Sequence, residues 1–261
     1  MSKITIEGIN IYYEVHGQGQ PLLLIHGLGS SCRDWEFQVG RFSPHYKVVT
    51  FDVRGHGKTD KPPGPYSLPQ FARDTAALIG ALQLAPAHVV GISMGGMIGF
   101  QLAVDSPQLI RSLVVVNATP EFRPQRWVER IAIQQRLLII RLLGMRKMAG
   151  VLSKRLFPKP EQEELRRVLI ERWSENDKRA YLDSMKALIG WSVADRIHQI
   201  EIPTLIVTGD NDYAPVSVKE RYLARMPNAE LVVIPDSTHA TPVDQPERFN
   251  QEVIQFLTRY S

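Results

Sequence analysis

The sequence is nearly devoid of cysteine, since Cys32 is the only one among its 261 residues. A single cysteine cannot form an internal disulfide, and such usage is typical of proteins in reducing compartments. We therefore expect Cys32 to be a small packed side chain rather than a reactive thiol. Clusters of Cys and His at the spacing of metal sites are also missing, so the sequence predicts no metal and no other cofactor.

Long hydrophobic runs are scarce as well. The most apolar run, from Leu137 to Leu143, is short and contains Arg141, whereas a membrane-spanning helix needs about 20 apolar residues in succession. The segment from Met1 to Glu7 contains an early acid and no apolar stretch, so it does not resemble a signal peptide. The sequence thus predicts a cytoplasmic protein without a transmembrane segment.

Acidic residues are rare in one stretch of the chain. Between Arg123 and Lys159 there are ten basic residues and one acid, Glu129, so this stretch carries +9 while the whole chain carries +4. The default interpretation is a solvated helix surface. The alternative is a docking face for an anionic partner, such as anionic lipid or an acidic carrier protein. Nucleic acid is not an expected partner, because the stretch contains no recognisable binding motif.

The remaining pattern is an alternation of apolar strands and helices. Two short segments near the N-terminus, 4–6 and 11–15, alternate apolar and polar residues and predict an antiparallel hairpin. Further on, continuous apolar runs typical of strands buried on both faces alternate with segments of helical periodicity. This order predicts an α/β fold with a mostly parallel sheet and helices on both faces. Between 120 and 200 the pattern is helical only, which indicates an insertion.

A β-branched run leads into Gly91-Ile-Ser93-Met-Gly95, and a segment rich in small residues follows. This pattern predicts a strand, an abrupt turn and a helix, with the Ser93 hydroxyl exposed at the turn. Glycines two residues to either side suit the crowded backbone of such a turn. The helix N-terminus would offer unpaired N–H groups near an oxyanion. A Gly-rich turn with an idle serine is the alternative, because this motif alone is weakly specific.

Taken with four further motifs, this stretch resembles the α/β-hydrolase family over essentially the whole chain. The motifs occur in order, each at the end of a predicted strand: His26-Gly-Leu-Gly29, Asp52-Val-Arg-Gly-His-Gly57, Gly91-Ile-Ser-Met-Gly95, Gly209-Asp-Asn-Asp212 and Ser237-Thr-His239. The resemblance implies an eight-stranded sheet with a helical cap inserted after the sixth strand. The implied core comprises 1–119 and 201–261, and the cap comprises 120–200.

The resemblance also implies a catalytic triad of Ser93, Asp212 and His239, in the chain order that this fold uses. Asp210 is the competing acid, although it is also typical of a turn. Some family members carry the acid after the sixth strand, where this chain has Asn117, which cannot supply a charge. The family often has Gly before the histidine, and Thr238 departs from that pattern.

Further residues take expected roles from the same resemblance. The backbone N–H groups of Leu28 and Met94 would form the oxyanion hole. We expect His26 to shape that loop, and Asp52, Arg54 and His56 to be scaffold. Nine apolar cap residues either pack internally or line an acyl-chain pocket: Trp127, Val128, Ile131, Ile133, Leu137, Leu138, Ile140, Leu142 and Leu143.

These expectations favour a serine hydrolase that cleaves a small carboxylic ester or thioester through an acyl-enzyme. A serine nucleophile disfavours the haloalkane dehalogenases and epoxide hydrolases of the family, which use aspartate at this position. A lactonase, a C–C hydrolase and a cofactor-free perhydrolase would share the same three residues. A slow-turnover ligand sensor is the alternative from a different functional class.

Overall fold

An eight-stranded sheet forms the centre of the computed structural model, which describes residues 2–124 and 127–261. Arg126 and the side chain of Glu129, both in the basic stretch, lie outside the described part. The strands are β1 (Ser2–Ile6), β2 (Ile9–His16), β3 (Gln20–Ile25), β4 (Tyr46–Phe51), β5 (Ala87–Ile92), β6 (Ile110–Val116), β7 (Thr204–Gly209) and β8 (Ala229–Ile234). Their spatial order is β1-β2-β4-β3-β5-β6-β7-β8. Only the β1–β2 and β2–β4 pairs are antiparallel.

Helices cover both faces of this sheet. They are α1 (Glu36–Phe42), α2 (Leu68–Ala81), α3 (Met94–Asp105), α4 (Trp127–Leu156), α5 (Glu163–Ser174), α6 (Lys178–Leu188), α7 (Val216–Leu223), α8 (Thr241–Asp244) and α9 (Pro246–Thr258). The predicted fold class is therefore confirmed. Within the described ranges, no helix is long and apolar enough to cross a membrane.

The alternation of side chains along the central strands creates two cores. In β3, Leu23 belongs to the core beneath α2 and α3, whereas Leu22 and Leu24 belong to the core beneath α1 and α9. Successive residues of a strand point to opposite faces, so a strand covered on both sides must be apolar throughout. This explains the continuous hydrophobic runs in the sequence and fixes the carboxyl ends of the strands at one rigid edge.

The helices α4, α5 and α6 lie between β6 and β7. The segment before α4 and the segment after α6 are adjacent and hydrogen-bonded to each other. Phe122 N donates to Trp191 O at 2.8 Å, and Gly190 N donates to Phe122 O at 2.9 Å. An ion pair also joins this insertion to the core, with Arg172 donating to Asp34 at 3.0 Å. These contacts hold the helical insertion over the carboxyl edge of the sheet.

The long helix α4 is broken at Gly144, whose φ of 78° is not helical. The periodicity predicts the first segment, Trp127 to Leu143, but not the second, from Met145 to Leu156. The second segment is interspersed with basic residues, which weaken its apolar stripe. Its buried contacts come from neighbouring elements that the local pattern does not reveal.

The apolar residues of the first segment do not all pack inward. Leu137 and Ile140 are buried, but Trp127 is 72% exposed and Leu142 is 71% exposed. Val128, Ile131, Leu138 and Leu143 are exposed too. Internal packing therefore accounts for only part of the apolar set predicted from the sequence.

Candidate active site

Ser93 sits between the end of β5 and the start of α3 in a strained conformation. Its φ is 54° and its ψ is −115°, a region that non-glycine residues rarely occupy. The surrounding backbone holds this turn in place, because Ser93 N donates to Val116 O at 2.9 Å. The sharp turn directs the hydroxyl away from the sheet edge instead of along the strand.

Gly95 makes this turn sterically feasible. A Cβ atom at this position would lie 2.1 Å from the carbonyl oxygen of Ile25, and one at Gly91 would lie 2.3 Å from the carbonyl oxygen of Gly95. These obstacles are backbone atoms that cannot rotate away. The close approach of β3, β5 and α3 therefore requires glycine at both positions.

We expect Gly95→Ala to lower the free energy of unfolding by about 3 kcal/mol or more, since the clash is with rigid backbone. Gly80→Ala in α2 is the matched control, because a Cβ there meets nothing within 4 Å. That control should stabilise the protein by about 0.5–1 kcal/mol through helix propensity. Urea unfolding curves measure both effects, and similar stabilities for the two variants would contradict this packing argument.

The structure brings Ser93, His239 and Asp212 into one hydrogen-bonded chain. His239 Nε2 lies 2.9 Å from Ser93 Oγ, and His239 Nδ1 lies 2.5 Å from Asp212 Oδ1. An ionised carboxylate can only accept hydrogen bonds, so Nδ1 carries the hydrogen and donates a hydrogen bond to Asp212. Nε2 can therefore accept a hydrogen bond from the serine hydroxyl. Asp210 lies apart from this chain, since its carboxylate accepts from Ser237 N at 3.1 Å.

Asp212 is buried, and its second oxygen accepts from a buried lysine. Lys219 Nζ, on α7, lies 2.5 Å from Asp212 Oδ2 and 2.5 Å from Ala214 O. Burial by itself would raise the pKa of Asp212, but the hydrogen bond from His239 and the charge of Lys219 together hold that pKa below its ordinary value. The carboxylate therefore stays ionised while it contacts the imidazole.

Sequence reasoning missed Lys219. In its helix three charged residues follow one another, from Lys219 to Arg221, and a lysine in such a run usually points into solvent. Here the lysine side chain is fully buried. The only signal in the sequence is its position seven residues after Asp212, which is uninformative without the loop geometry.

Asn117, at the end of β6, fastens the loop that carries His239. Its side-chain amide donates to the carbonyl oxygen of His239 at 3.0 Å and to Thr241 Oγ1 at 2.8 Å. Its side-chain oxygen accepts from Gly209 N at 3.0 Å. The residue considered as an alternative acid position therefore joins the ends of β6 and β7 to the histidine loop.

Thr238 occupies the position before the histidine, where the family often has glycine, and its side chain makes contacts that a glycine lacks. Its hydroxyl lies 2.6 Å from the carbonyl oxygen of Leu156 and 2.8 Å from a carboxylate oxygen of Asp244. The first contact links the histidine loop to the end of α4. The threonine therefore couples the loop to the helical insertion, which a glycine could not do.

A further neighbour of the histidine, Tyr213, was also missed. The rings of Tyr213 and His239 are stacked, with centroids 4.2 Å apart and planes inclined by 18°. The guanidinium carbon of Arg155, on α4, lies 4.2 Å from the centroid of the same tyrosine. Stacking restricts rotation of the imidazole, and the arginine extends the contact to the insertion.

The residues expected to be scaffold have no contact with the Ser93 hydroxyl. His26 Nε2 accepts from Val53 N at 3.0 Å, and Arg54 forms two 2.7 Å hydrogen bonds with the buried Asp74. Burial lowers the pKa of His26, and it lowers the pKa of His56 to about 3. Both imidazoles are therefore neutral at pH 7 and act as packed hydrogen-bonding groups.

Cys32 and Asp52 belong to the same network. Cys32 N donates to Asp52 Oδ1 at 2.8 Å, and Lys58 N donates to Asp52 Oδ2 at 2.7 Å. Burial raises the pKa of the Cys32 thiol, so the reactive thiolate is disfavoured.

Leu28 and Met94 belong to the two backbone segments that meet at Ser93. Leu28 is in a turn closed by Ser30 N donating to Gly27 O at 3.2 Å, and that hydrogen bond does not use the N–H of Leu28. Met94 is the first residue of α3, where an N–H has no partner within the helix. A Cβ at Gly27 would lie only 3.5 Å from Ser93 Cβ, so the two segments are adjacent.

A cavity of about 480 Å³ opens beside Ser93, His239 and Asp212. Most of its lining side chains are apolar: Leu28, Trp35, Phe37, Ile92, Met97, Ala118, Phe122, Leu152, Leu156, Phe157, Leu165, Val168, Leu169, Trp173, Met185, Leu188, Ala214, Ala240, Pro242 and Val243. None of the nine apolar residues between Trp127 and Leu143 is among them. The hypothesis that those nine line an acyl-chain pocket is therefore wrong in its residues, because the helical insertion contributes to the apolar cavity through α5, α6 and the second half of α4.

The basic stretch does not form a single exposed surface. Arg136 lines the cavity, Arg155 covers Tyr213, and Lys159 pairs with Asp236. Arg141 and Arg146 are exposed. Docking of a large anionic partner stays a prediction that these contacts do not test.

Comparisons with known proteins identify the family of this chain. A model of the alpha/beta hydrolase family matches residues 22–252. The chain belongs to the alpha/beta hydrolase family. The predicted family is thereby confirmed.

Its relatives are similar over their full length. An enol-lactonase, 3-oxoadipate enol-lactonase 2 of Acinetobacter baylyi, is 26% identical and covers 99% of this chain and 97% of its own. A putative carbamate hydrolase, RutD of Caulobacter segnis, is 31% identical over 98% and 99% of the two chains. The crystal structure of the enol-lactonase from Burkholderia xenovorans LB400 superposes with a TM-score of 0.90 at 26% identity, covering 98% of this chain and all of the other. This alpha/beta hydrolase is thus similar to hydrolases of several substrate classes.

Proposed function

We propose that this protein is a serine hydrolase that cleaves carboxylic esters through an acyl-enzyme intermediate. The observation that carries the proposal is the hydrogen-bonded chain from Ser93 through His239 to Asp212 beside an apolar cavity. A serine hydroxyl is a poor nucleophile at neutral pH and needs a base that is oriented by a third group. The distances of 2.9 Å and 2.5 Å meet that requirement.

In the first half of the reaction, Ser93 Oγ attacks the ester carbonyl while His239 Nε2 takes its proton. Asp212 stabilises the imidazolium that forms, and Lys219 holds the carboxylate in place. The N–H groups of Leu28 and Met94 bind the negative oxygen of the tetrahedral intermediate. These donors are fixed before the charge develops, which is what makes such a site effective.

Collapse of the tetrahedral intermediate expels the alcohol, which receives the proton from His239. The acyl group remains bonded to Ser93 Oγ. A water molecule then attacks this acyl group, with His239 accepting its proton, and the serine is released as the carboxylic acid departs. The cavity can hold the acyl chain throughout, because its lining is apolar and its volume is in the range of small-molecule sites.

A lactone is the second candidate substrate. Enol-lactonases are among the relatives with matching chain lengths. A lactone is an internal ester, so the same three side chains would open it, with the alcohol remaining attached to the acyl group. The polar neighbours of Ser93 need no change for this reaction.

A panel of 4-nitrophenyl esters from acetate to decanoate, assayed beside γ- and δ-lactones, tests the proposal. We expect multiple turnovers on at least one class and a kcat/KM that rises from acetate to medium chains, because the cavity buries added methylenes. A steep preference for acetate would contradict the role of the cavity. Release of one equivalent of product, followed by arrest, would instead indicate a ligand sensor.

A further inference from the structure

Two arginines line the cavity, and they differ in how their charge is balanced. Arg172 pairs with Asp34 at 3.0 Å and with Glu36 at 2.8 Å. Arg136 has no carboxylate within 4 Å in the part of the chain that the structure describes; its Nη2 donates to the hydroxyl of Tyr181. A neutral phenol does not offset the charge of a guanidinium.

The acids of the cavity are already engaged. Each lining carboxylate has a basic partner: Asp34 and Glu36 with Arg172, Glu164 with Arg167, and Asp212 with Lys219. None of them is available to neutralise Arg136 without losing its present partner. Among the residues that the structure describes, the cavity therefore contains one cation whose charge no lining acid balances.

Arg136 is also incompletely hydrogen-bonded. Its Nε is buried and has no partner within the described structure. A guanidinium stays charged at any physiological pH and has five donors, so most of its hydrogen-bonding capacity is unused. Leaving a charged donor unpaired in an apolar surrounding is costly. The buried Nε is not itself accessible to a ligand, so a ligand acceptor would meet the guanidinium at its terminal nitrogens, beside the contact with Tyr181.

The position of Arg136 relates it to the reacting groups. Its partner Tyr181 lies against the loop after β3, because a Cβ at Gly29 would come within 2.7 Å of Tyr181 Cε2. Arg136 and Tyr213, which stacks on His239, line the same cavity. Burial raises the pKa of Tyr213, and the positive charge of Arg136 opposes that rise. The arginine thus lies on the insertion side of the cavity and is joined through Tyr181 to the loop that contains Leu28.

Resting on the proposed function, we propose that Arg136 binds a carboxylate of the substrate. The substrate class is then an ester or lactone that carries a free carboxylate in addition to the bond that is cleaved. The planar guanidinium can donate two parallel hydrogen bonds to such a group. The apolar walls would contact the chain that separates the carboxylate from the ester.

Two pairs of probes test this assignment. The first pair compares the mono-4-nitrophenyl ester of pimelate with 4-nitrophenyl heptanoate, which place the carboxylate or a methyl group at the end of the acyl chain. The second pair compares 4-(heptanoyloxy)benzoate with its methyl ester, which places the carboxylate on the alcohol. For at least one pair, Arg136→Met should lower kcat/KM of the carboxylated probe by about 10- to 100-fold, mainly through KM. The neutral probe should change by less than about threefold.

Arg146→Met is the matched control, because it removes the same charge from an exposed position of α4. It should leave both probes unaffected. Equal losses on charged and neutral probes in Arg136→Met would overturn the assignment and indicate a structural role in the insertion. If the native protein hydrolyses no probe, the proposed function itself fails. If it hydrolyses the neutral probes but shows no dependence on Arg136, only the carboxylate assignment fails.

Discussion

Replacing Ser93 with alanine is expected to lower kcat by about 10⁶-fold, the loss typical of removing the nucleophile of a serine hydrolase. The reason is geometric, since Ser93 Oγ is the hydroxyl within 2.9 Å of His239 Nε2. The rate of 4-nitrophenyl butyrate hydrolysis measures the effect. The same variant should bind substrate with little change, because the cavity walls remain.

Ser30→Ala is the control for this substitution. Ser30 also lines the cavity, but its hydroxyl has no contact with His239. We expect Ser30→Ala to keep most of the activity and both variants to retain the native melting temperature. Retention of more than about 1% of the native kcat by Ser93→Ala would contradict the nucleophile assignment.

Replacing Lys219 with methionine is expected to cost about 3–5 kcal/mol of stability, because it leaves the buried carboxylate of Asp212 without its cation. The structure shows both side chains almost completely inaccessible to solvent. Activity should fall as well, since the pKa of Asp212 rises and the acid limb of the pH–rate profile moves to higher pH. KM should change less than kcat, because Lys219 does not line the cavity.

The pH dependence of stability should change in the same variant. In the native protein the pKa of Asp212 lies below its unfolded value of about 3.9, so its ionised form favours folding above that pH. That contribution is lost only as the pH falls through the lower, folded value. In Lys219→Met the folded pKa moves up towards the unfolded value, so this contribution is smaller above about pH 4 and stability falls less steeply on acidification, which urea unfolding between pH 3 and 8 would reveal.

The double variant Lys219→Met with Asp212→Asn separates the structural and catalytic parts of this pair. Removing both charges should recover much of the lost stability, because no buried ion is left unpaired. Activity should not recover, since a neutral amide cannot stabilise the imidazolium, a defect worth about 10⁴-fold in kcat. A double variant as unstable as Lys219→Met would contradict the ion-pair argument.

The fold could be predicted because its signals are local. Continuous apolar runs mark the strands β3 to β7, and Gly91 and Gly95 flank Ser93 where the backbone leaves no room for a side chain. The positions of Ser93, His239 and Asp212 relative to one another followed from the family resemblance, and the structure brings these three together. The distances could not be predicted, because they depend on loops that converge from separate strands.

The surroundings of the site could not be predicted for a different reason. Lys219 and Tyr213 contact the acid and the histidine of the site directly, but nothing at their positions in the sequence indicates these contacts. The insertion lines the cavity with residues of α5, α6 and the second segment of α4, and helical periodicity in the sequence does not show which of these helices borders the cavity. The first segment of α4 is more apolar and was the predicted pocket wall, but several of its apolar side chains are exposed.

The hydrogen bonds of Asn117 restrict where the catalytic acid of this site can lie. An aspartate there would set an anion against the oxygens of His239 and Thr241 that the present amide group hydrogen-bonds. Moving the acid from the end of β7 to the end of β6 by a single mutation would therefore loosen the histidine loop before any benefit appeared. The catalytic acid therefore cannot move between the two strands in one step. A variant with the acid at the end of β6 would also need at least one compensating change in the loop after β8.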